Sequence, residues 1–531
     1  MKICMLVRNT VTKDARVLKE ANTLINHGYE VIVIGIQDAI ITNSFEQKPN
    51  GLKIYRAAWK TKRASYIRLF LIGAFIFSLM AVLYFELFHQ LSSISATLVQ
   101  TLLNGVSFVV PVIALLLVPF LVFRFFTIRI LKAQRILDYE TVREGLGVSS
   151  DISGYGFRYY IIRSMKYILE LLVTMTKLIC SPIRFMRRVL RRGAQFIGAR
   201  RLYNGFKRSF VYSTNHLLSL YAYRQSVLEI VKKHDVDIIH AHDISTLPVG
   251  VALKQKLGVP LVYDAHEIYE EAVGVPFFGR LLYRNINRLL LTSGNIDLFI
   301  TINESFIDYY QNTYPRSPKG ILVMNAAVKS NFVEYDGRLH DAAGIDRSKK
   351  IILFQGGVTK KRGVVNLLQA ANYLDSGWVL VFMGWGFYEK QILEYANEEG
   401  SNVRLIGPAP QDELPLWTSG ATVGVIPYEE YGLNHKYCTP NKLWEYPNAL
   451  VPILASPRDE LTRIVTKNQT GKIMSEPVTP AVFAKEMMFS DSEVTVFKKH
   501  CREFIELNSW AAYEKNILDG YNRLALSKAT A

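Results

Sequence analysis

Three loops constrain this chain most, the first two of them glycine-bearing, because each follows an apolar run. FQGGVTKKRG (354–363) is led by IILF, FMGWG (382–386) closes WVLVF, and TPNKLWEY (439–446) comes after TVGVI. Short runs rich in Val, Ile and Leu are strands buried on both faces of a parallel sheet, and such sheets bind ligands beyond the carboxyl ends of their strands. Glycine there lets the backbone approach a phosphate closely. One such loop says little; three in this order within one α/β stretch point to a nucleotide site.

The same pattern occurs earlier. KICMLV, EVIVIG, DIIHA, PLVYDA and DLFITI are strand candidates, separated by helical patterns such as Val17, Ala21, Leu24 and Ile25, with Thr12 or Asp14 able to cap the start. This first half breaks off after Tyr55 and resumes at VLEIVKKHDVDIIHAHD, so the residues between are an insertion within a domain. The expected organisation is residues 1–60 with 211–340 as a discontinuous N-terminal domain, 61–135 and 136–210 as the insertion, 341–476 as a second domain, and 477–531 as C-terminal helices. Cys4, Cys180, Cys438 and Cys501 lie far apart, without the spacing of a disulfide framework or zinc site.

The insertion has its own chemistry. Residues 69–85 carry no charge, and after Glu86 none recurs until Arg124. That supplies two spans, 66–88 and 104–123, each near the roughly 20 apolar residues a crossing helix needs. Lys60, Lys62, Arg63 and Arg68 precede the pair, while Arg124, Arg129, Lys132 and Arg135 follow it, which places both flanks on the cytoplasmic side. A transmembrane or re-entrant hairpin is expected, with a buried soluble hairpin as the alternative. Part of the net charge of +17 gathers just beyond, where Arg158 to Arg208 hold thirteen Lys and Arg against Glu170 alone. Arg184, Arg187, Arg188, Arg191 and Arg192 share one helix face opposite Phe185, Met186, Val189 and Leu190, the pattern of a helix lying on anionic lipid. No helix-turn-helix, finger or RNA-binding aromatic signature accompanies this patch, so nucleic acid is not expected as a partner.

DARVLKEANTLINHGYEVIVI, DIIHAHD, LVYDAHEIYEE, FQGGVTKKRG, FMGWG, PYEEYGLNHKYCTPNKLWEY and VPILAS, in this order, resemble glycosyltransferase family 4. The resemblance covers nearly everything outside residues 61–210. It implies an α/β fold of two Rossmann-like domains in the GT-B architecture, here with an inserted helical hairpin and basic amphipathic helices. It further implies a retaining enzyme, a nucleotide-sugar donor on the C-terminal domain, an acceptor on the N-terminal one, and no metal or cofactor. A UDP- or GDP-linked sugar is the expected co-substrate. Together with the insertion, it implies a lipid-linked or membrane-proximal glycan acceptor, anionic membrane lipid as a partner, and surface polysaccharide assembly at the inner (cytoplasmic) membrane with the catalytic domains facing the cytoplasm. An epimerase or hydrolase of the same architecture and a non-catalytic scaffold stay open as alternatives.

Breaking a sugar–phosphate bond builds negative charge on the departing diphosphate, so cations and backbone amides are wanted there. Gly356, Gly357, Gly384 and Gly386 are the candidate backbone positions, with Arg362 and Lys442 as cations beside Asn441. The family's loop has Arg after its first Gly and Lys before its last, where this chain has Gly357 and Arg362, so Lys360 or Lys361 is the expected substitute for the missing cation. Glu445 matches the second glutamate of the family's pair and resembles a ribose ligand. The first is Tyr437, with Glu429, Glu430 and His435 as the nearby polar groups. Leu450 stands at the family's small-residue turn. On the acceptor side, His242, Asp243 and His266 follow two strands and are the catalytic candidates; His242 resembles the histidine that contacts the transferred sugar. Arg8 and Asn9, ending the first strand, are candidate acceptor contacts.

Overall fold

The computed structural model describes residues 1–12, 14–57, 197–332, 334–476 and 478–529. The chain divides into two units, Met1–Trp59 with Tyr223–Ala531, and Lys60–Ala222. The first holds two sheets. One has eight strands in the order β3-β4-β2-β1-β5-β6-β7-β8: β1 Lys2–Leu6, β2 Glu30–Ile36, β3 Phe45–Gln47, β4 Lys53–Ala57, β5 Ile238–His242, β6 Leu261–Ala265, β7 Leu298–Thr301 and β8 Gly320–Leu322. The other has six in the order β11-β10-β9-β12-β13-β14: β9 Lys350–Gln355, β10 Trp378–Met383, β11 Val403–Ile406, β12 Val423–Ile426, β13 Ile453–Ala455 and β14 Gly471–Ile473. Every pairing is parallel except β3 with β4.

Alternation along the strands explains why both faces are covered. Ile351, Leu353, Val379, Val381 and Met383 enter one core, while Ile352, Phe354, Leu380 and Phe382 enter a second on the opposite face. The sheet is thus sandwiched, as parallel strands with crossover helices require. Its order reverses beside β9, between β9 and β12, which opens a crevice at their carboxyl ends. Tyr446 bridges that boundary, its hydroxyl lying 2.9 Å from the Leu353 carbonyl and 3.4 Å from that of Val425.

Helices near the ends cross between lobes. Arg338–Ala343, which the expected boundary after residue 340 would divide, buries Leu339 and Ala343 in the second sheet's core. Asp491–Asn508, started by a Ser490–Glu493 capping box, buries Phe504 and Ile505 in that same core. The chain breaks at Ser509, and Trp510–Ala529 returns to the first sheet, where Trp510, Ile517, Tyr521 and Leu524 pack with Ile3, Met5 and Val17. Each such buried apolar side chain contributes roughly 1.5–3 kcal/mol.

The helix Ile197–Val231 returns the chain from the insertion, and its Tyr223 donates a 2.6 Å hydrogen bond to the Ile34 carbonyl of β2. Among the described residues no helix is long and apolar enough to cross a membrane. The hairpin expected over 61–135 and the basic segment up to residue 196 lie outside the described residues. Residues 197–210 are helical, forming the opening turns of Ile197–Val231.

Candidate functional site

The carboxyl ends of β5 and β6 gather a buried charge cluster. His240 and His242 share one face of β5, their rings stacked with centroids 4.0 Å apart, and Asp264 pairs with His242 across the strands. The helix Ala15–Asn26, capped by Asp14, carries Arg16 and Glu20 on its inward face. Arg16 donates from Nε and Nη2 to the Asp264 carboxylate, both at 2.9 Å, and from Nη1 to the Val323 carbonyl at 2.7 Å. Its Nε is also 3.0 Å from Glu20 Oε1. His266 donates from Nε2 to Asp264 at 2.7 Å, and its Nδ1 lies 3.1 Å from Asp243.

These contacts set the protonation. Burial opposes charge on Asp264, yet Arg16 and His266 overcome it and hold the carboxyl well below the usual range. Burial likewise works against a charged His266, but Asp243 and Asp264 outweigh it and raise its pKa to about 9. Glu20, pushed by burial and then by Asp264, rises to about 7. Burial drives His240 well below 6.5, and its Nδ1 shares a 2.7 Å hydrogen bond with the Tyr521 hydroxyl of Trp510–Ala529. His242 is 1% exposed; its Nδ1 lies 3.4 Å from Asp264, and its Nε2 has no hydrogen-bond partner within the protein. A buried polar group of that kind is costly unless a ligand or water engages it. Glu20, His240, His242 and Asp264 are the one group among the described residues with metal-ligand spacing, their atoms within 4.8 Å of one another. Arg16 already places a cation against both carboxylates.

The second sheet builds its crevice from backbone. Gly356, at φ +99°, donates its N–H to Met383 at 2.8 Å, and Val358 donates to the Trp385 carbonyl at 3.1 Å, so the loops after β9 and β10 lie flat on each other. A Cβ on Gly384 would stand 2.1 Å from the Gly356 carbonyl oxygen, which is why no side chain is tolerated there. Lys442 opens the helix Lys442–Asn448, and its ammonium reaches Gly356, 3.2 Å from where a Cβ would be. Arg362 donates a long 3.4 Å bond to the Gly357 carbonyl. The Arg362 guanidinium and the Lys442 ammonium sit 5.5 and 5.6 Å from the centre of the same ring, that of Tyr428. Glu445, one turn after Lys442, accepts a 2.7 Å bond from Gln355 at the end of β9, and burial raises its pKa. Arg362, Lys442 and Glu445 therefore converge with Gly356 and Gly357 on one crevice. Asn441 precedes the helix and is joined through Asn325 to Lys19 of the first lobe, by bonds of 2.7 Å each.

Other expectations land elsewhere. Lys360 lies 4.4 Å over the Phe387 ring, and Lys361 pairs with Glu429 at 3.1 Å, so both are engaged at the rim. Lys442 is the cation that reaches Gly356. Glu430 is held by Arg458, and His435 by the Glu429 carbonyl. The Tyr437 carbonyl accepts from Asn303 of the first lobe, and Asn434 forms two bonds with the Ile268 backbone, tying this loop across the cleft. Leu450 adopts φ +58°, a left-handed conformation that accounts for the small residue the family uses there. Asp243, at φ +68°, occupies the same region. Arg8 is half-buried; the Asn9 side chain is taken up locally, donating to Asp14 and accepting from Val11, at 2.7 Å each. Arg16, Glu20, Tyr428 and Gln355 were not singled out from sequence. Arg16 and Glu20, four apart beside the apolar stripe, were the available signal.

A phosphate-type crevice on one Rossmann-like sheet, facing a histidine–carboxylate cluster on another, defines a nucleotide-sugar-dependent glycosyltransferase of GT-B architecture. Residues 167–328 match the model of Glycosyltransferase Family 4, and residues 349–489 that of Glycosyl transferases group 1. The chain belongs to glycosyltransferase family 4, a retaining, metal-independent family. It is 22% identical over 316 residues to D-inositol 3-phosphate glycosyltransferase of Nocardioides sp., covering 54% of this chain and 67% of that protein. Its fold resembles sucrose-phosphate synthase from Thermosynechococcus elongatus, at 12% identity and TM-score 0.57, over 99% of this chain and 100% of that one. The same shares are covered by α,α-trehalose 6-phosphate synthase from Burkholderia multivorans, at 12% identity and TM-score 0.53.

Proposed function

We propose that this enzyme moves a sugar from a UDP- or GDP-linked donor onto a lipid-linked or membrane-proximal glycan, in surface polysaccharide biosynthesis at the cytoplasmic face of the inner membrane. The observation that carries the donor assignment is the convergence of Arg362 and Lys442 on the Gly356–Gly357 backbone, with Glu445 beside it. As the anomeric C–O bond breaks, its electron pair passes to the diphosphate, where the two cations lower the energy of the developing charge. The acceptor hydroxyl oxygen forms the new bond, and its proton passes to the leaving phosphate oxygen. Glu445 offers its carboxylate to ribose hydroxyls.

On the opposite lobe, His242 Nε2 has no partner within the protein and is offered to the transferred sugar, while Nδ1 lies 3.4 Å from Asp264. Arg16 and Asp264 position the strand ends that carry His242 and His266. The membrane part of the proposal is supported by sequence: the uncharged stretches within 69–123, their basic flanks, and the Arg-rich segment beyond.

A panel of nucleotide sugars supplied to the full chain in anionic liposomes bearing a polyprenyl-diphosphate glycan tests this, read by which nucleotide is released. Release of UDP or GDP that depends on the liposomes is expected. Equal turnover on soluble acceptors without lipid, unchanged by deleting residues 61–210, would overturn the membrane assignment and leave the transferase intact.

A further inference from the structure

Trp385 stands between Gly384 and Gly386 on the loop after β10, at φ +157° and +149° for the two glycines. That loop is pressed onto the candidate diphosphate loop: the Trp385 carbonyl accepts from Val358, and a Cβ on Gly386 would approach the Val358 carbonyl to 3.0 Å. A backbone so tightly held has no room to withdraw the side chain it carries. Trp385 is 63% exposed all the same. Phe387, two residues on and 64% exposed, already has the Lys360 ammonium over its ring. Among the described residues, neither ring nor cation stacks on Trp385. An exposed large aromatic on a rigid loop is a surface held ready for a flat partner.

The sheet order says which partner. Glu445 sits at the end of β9 through Gln355, whose side-chain oxygen accepts from Thr418 in the helix Leu414–Thr418 that follows β11. A ribose at Glu445, joined to a diphosphate at Gly356–Gly357, therefore has the β10 and β11 loops on that flank, and the β10 loop carries Trp385. We propose that Trp385 is the platform on which the donor's nucleobase stacks, so that it sets affinity for the nucleoside rather than for the diphosphate. Stacking on a π-face accepts a pyrimidine or a purine, and selection between them falls to neighbouring polar groups. This inference rests on the donor assignment above and adds the base to it.

Calorimetric titration of the full chain with UDP, GDP and inorganic pyrophosphate, for the wild type, Trp385→Ala and Trp385→Phe, tests it. Trp385→Ala should weaken the nucleoside diphosphate that the wild type binds by roughly 10- to 100-fold, leave pyrophosphate unchanged, and leave the acceptor KM unchanged. Trp385→Phe should keep most of the affinity, which separates stacking from a loop disturbance. Nucleoside diphosphate affinity unaltered in Trp385→Ala, or a loss confined to the acceptor KM, overturns the proposal alone. A wild-type chain that binds neither UDP, GDP nor pyrophosphate overturns the donor assignment and this inference with it.

Discussion

The two lobes hold their candidate groups by opposite means. At the first sheet, buried Arg16, Glu20 and Asp264 form a charged network with the partly exposed His266, and the geometry of His242 depends on ion pairs. At the second, the crevice is outlined by backbone: Gly356, Gly384 and Gly386 in conformations and contacts that exclude a Cβ, with Lys442, Arg362 and Glu445 added around them. Charge organises the site on the first sheet, and the absence of side chains organises the one on the second. The difference fits the roles proposed for the two lobes, since a diphosphate brings its own charge and needs room and amides, whereas a neutral sugar needs oriented donors and acceptors.

Substitutions can break this contrast. The largest effect is expected at Arg16, because its loss leaves buried Glu20 without its cation and buried Asp264 with His266 alone. Arg16→Ala should lower stability by about 3–5 kcal/mol in urea unfolding. A loss under about 1 kcal/mol would mean that the cluster behaves like a solvated surface pair, and the contrast would dissolve.

Acidity sharpens it next. The pKa of His266 in the folded chain, about 9, lies above its ordinary 6.5, so its contribution is complete below pH 6.5 and disappears as pH climbs through 9. On the order of 3 kcal/mol is involved. Glu20 acts in the same direction between 4.5 and 7: the folded chain keeps a proton that the unfolded one has released, so stability falls as pH rises there. Thermal melts of wild type and His266→Gln should converge at high pH; a gap independent of pH would contradict an imidazolium held between two aspartates.

Kinetics divide the lobes directly. His242→Ala should reduce kcat roughly 100-fold with little change in donor KM, and Glu445→Ala should raise donor KM roughly 10-fold with kcat kept. The reverse pattern would exchange the roles given to the two sheets. The smallest effect is expected from Tyr521→Phe, which removes the hydrogen bond to His240 and should cost about 1 kcal/mol of stability without altering donor affinity.

The central strands were legible because each is a continuous apolar run with a glycine or polar loop behind it, as in IILFQGG and WVLVFMG. Three-residue edge strands such as Phe45–Gln47 and Gly471–Ile473 carry too little pattern to be read. Within the site, the donor loops were legible since their chemistry is local. The Arg16–Asp264 pair was not, because its partners are 248 positions apart and nothing near either residue announces the other. Lys360 and Lys361 misled for a related reason: adjacency in sequence suggested a phosphate contact, whereas Phe387 and Glu429 engage them. Tyr428, set between Arg362 and Lys442, looked like one tyrosine among many until the fold brought its ring to them.

The return of Trp510–Ala529 to the first sheet has a consequence for biosynthesis. His240 meets Tyr521, 281 residues further along, and Thr23 meets Trp510 at a separation of 487. A ribosome finishes every strand of the opening lobe long before it delivers the helix that seals that lobe's interior. The usual vectorial order, in which the leading domain matures while the trailing one is still being made, is closed to this polypeptide. Its earlier half must wait, incomplete, until that helix has been made.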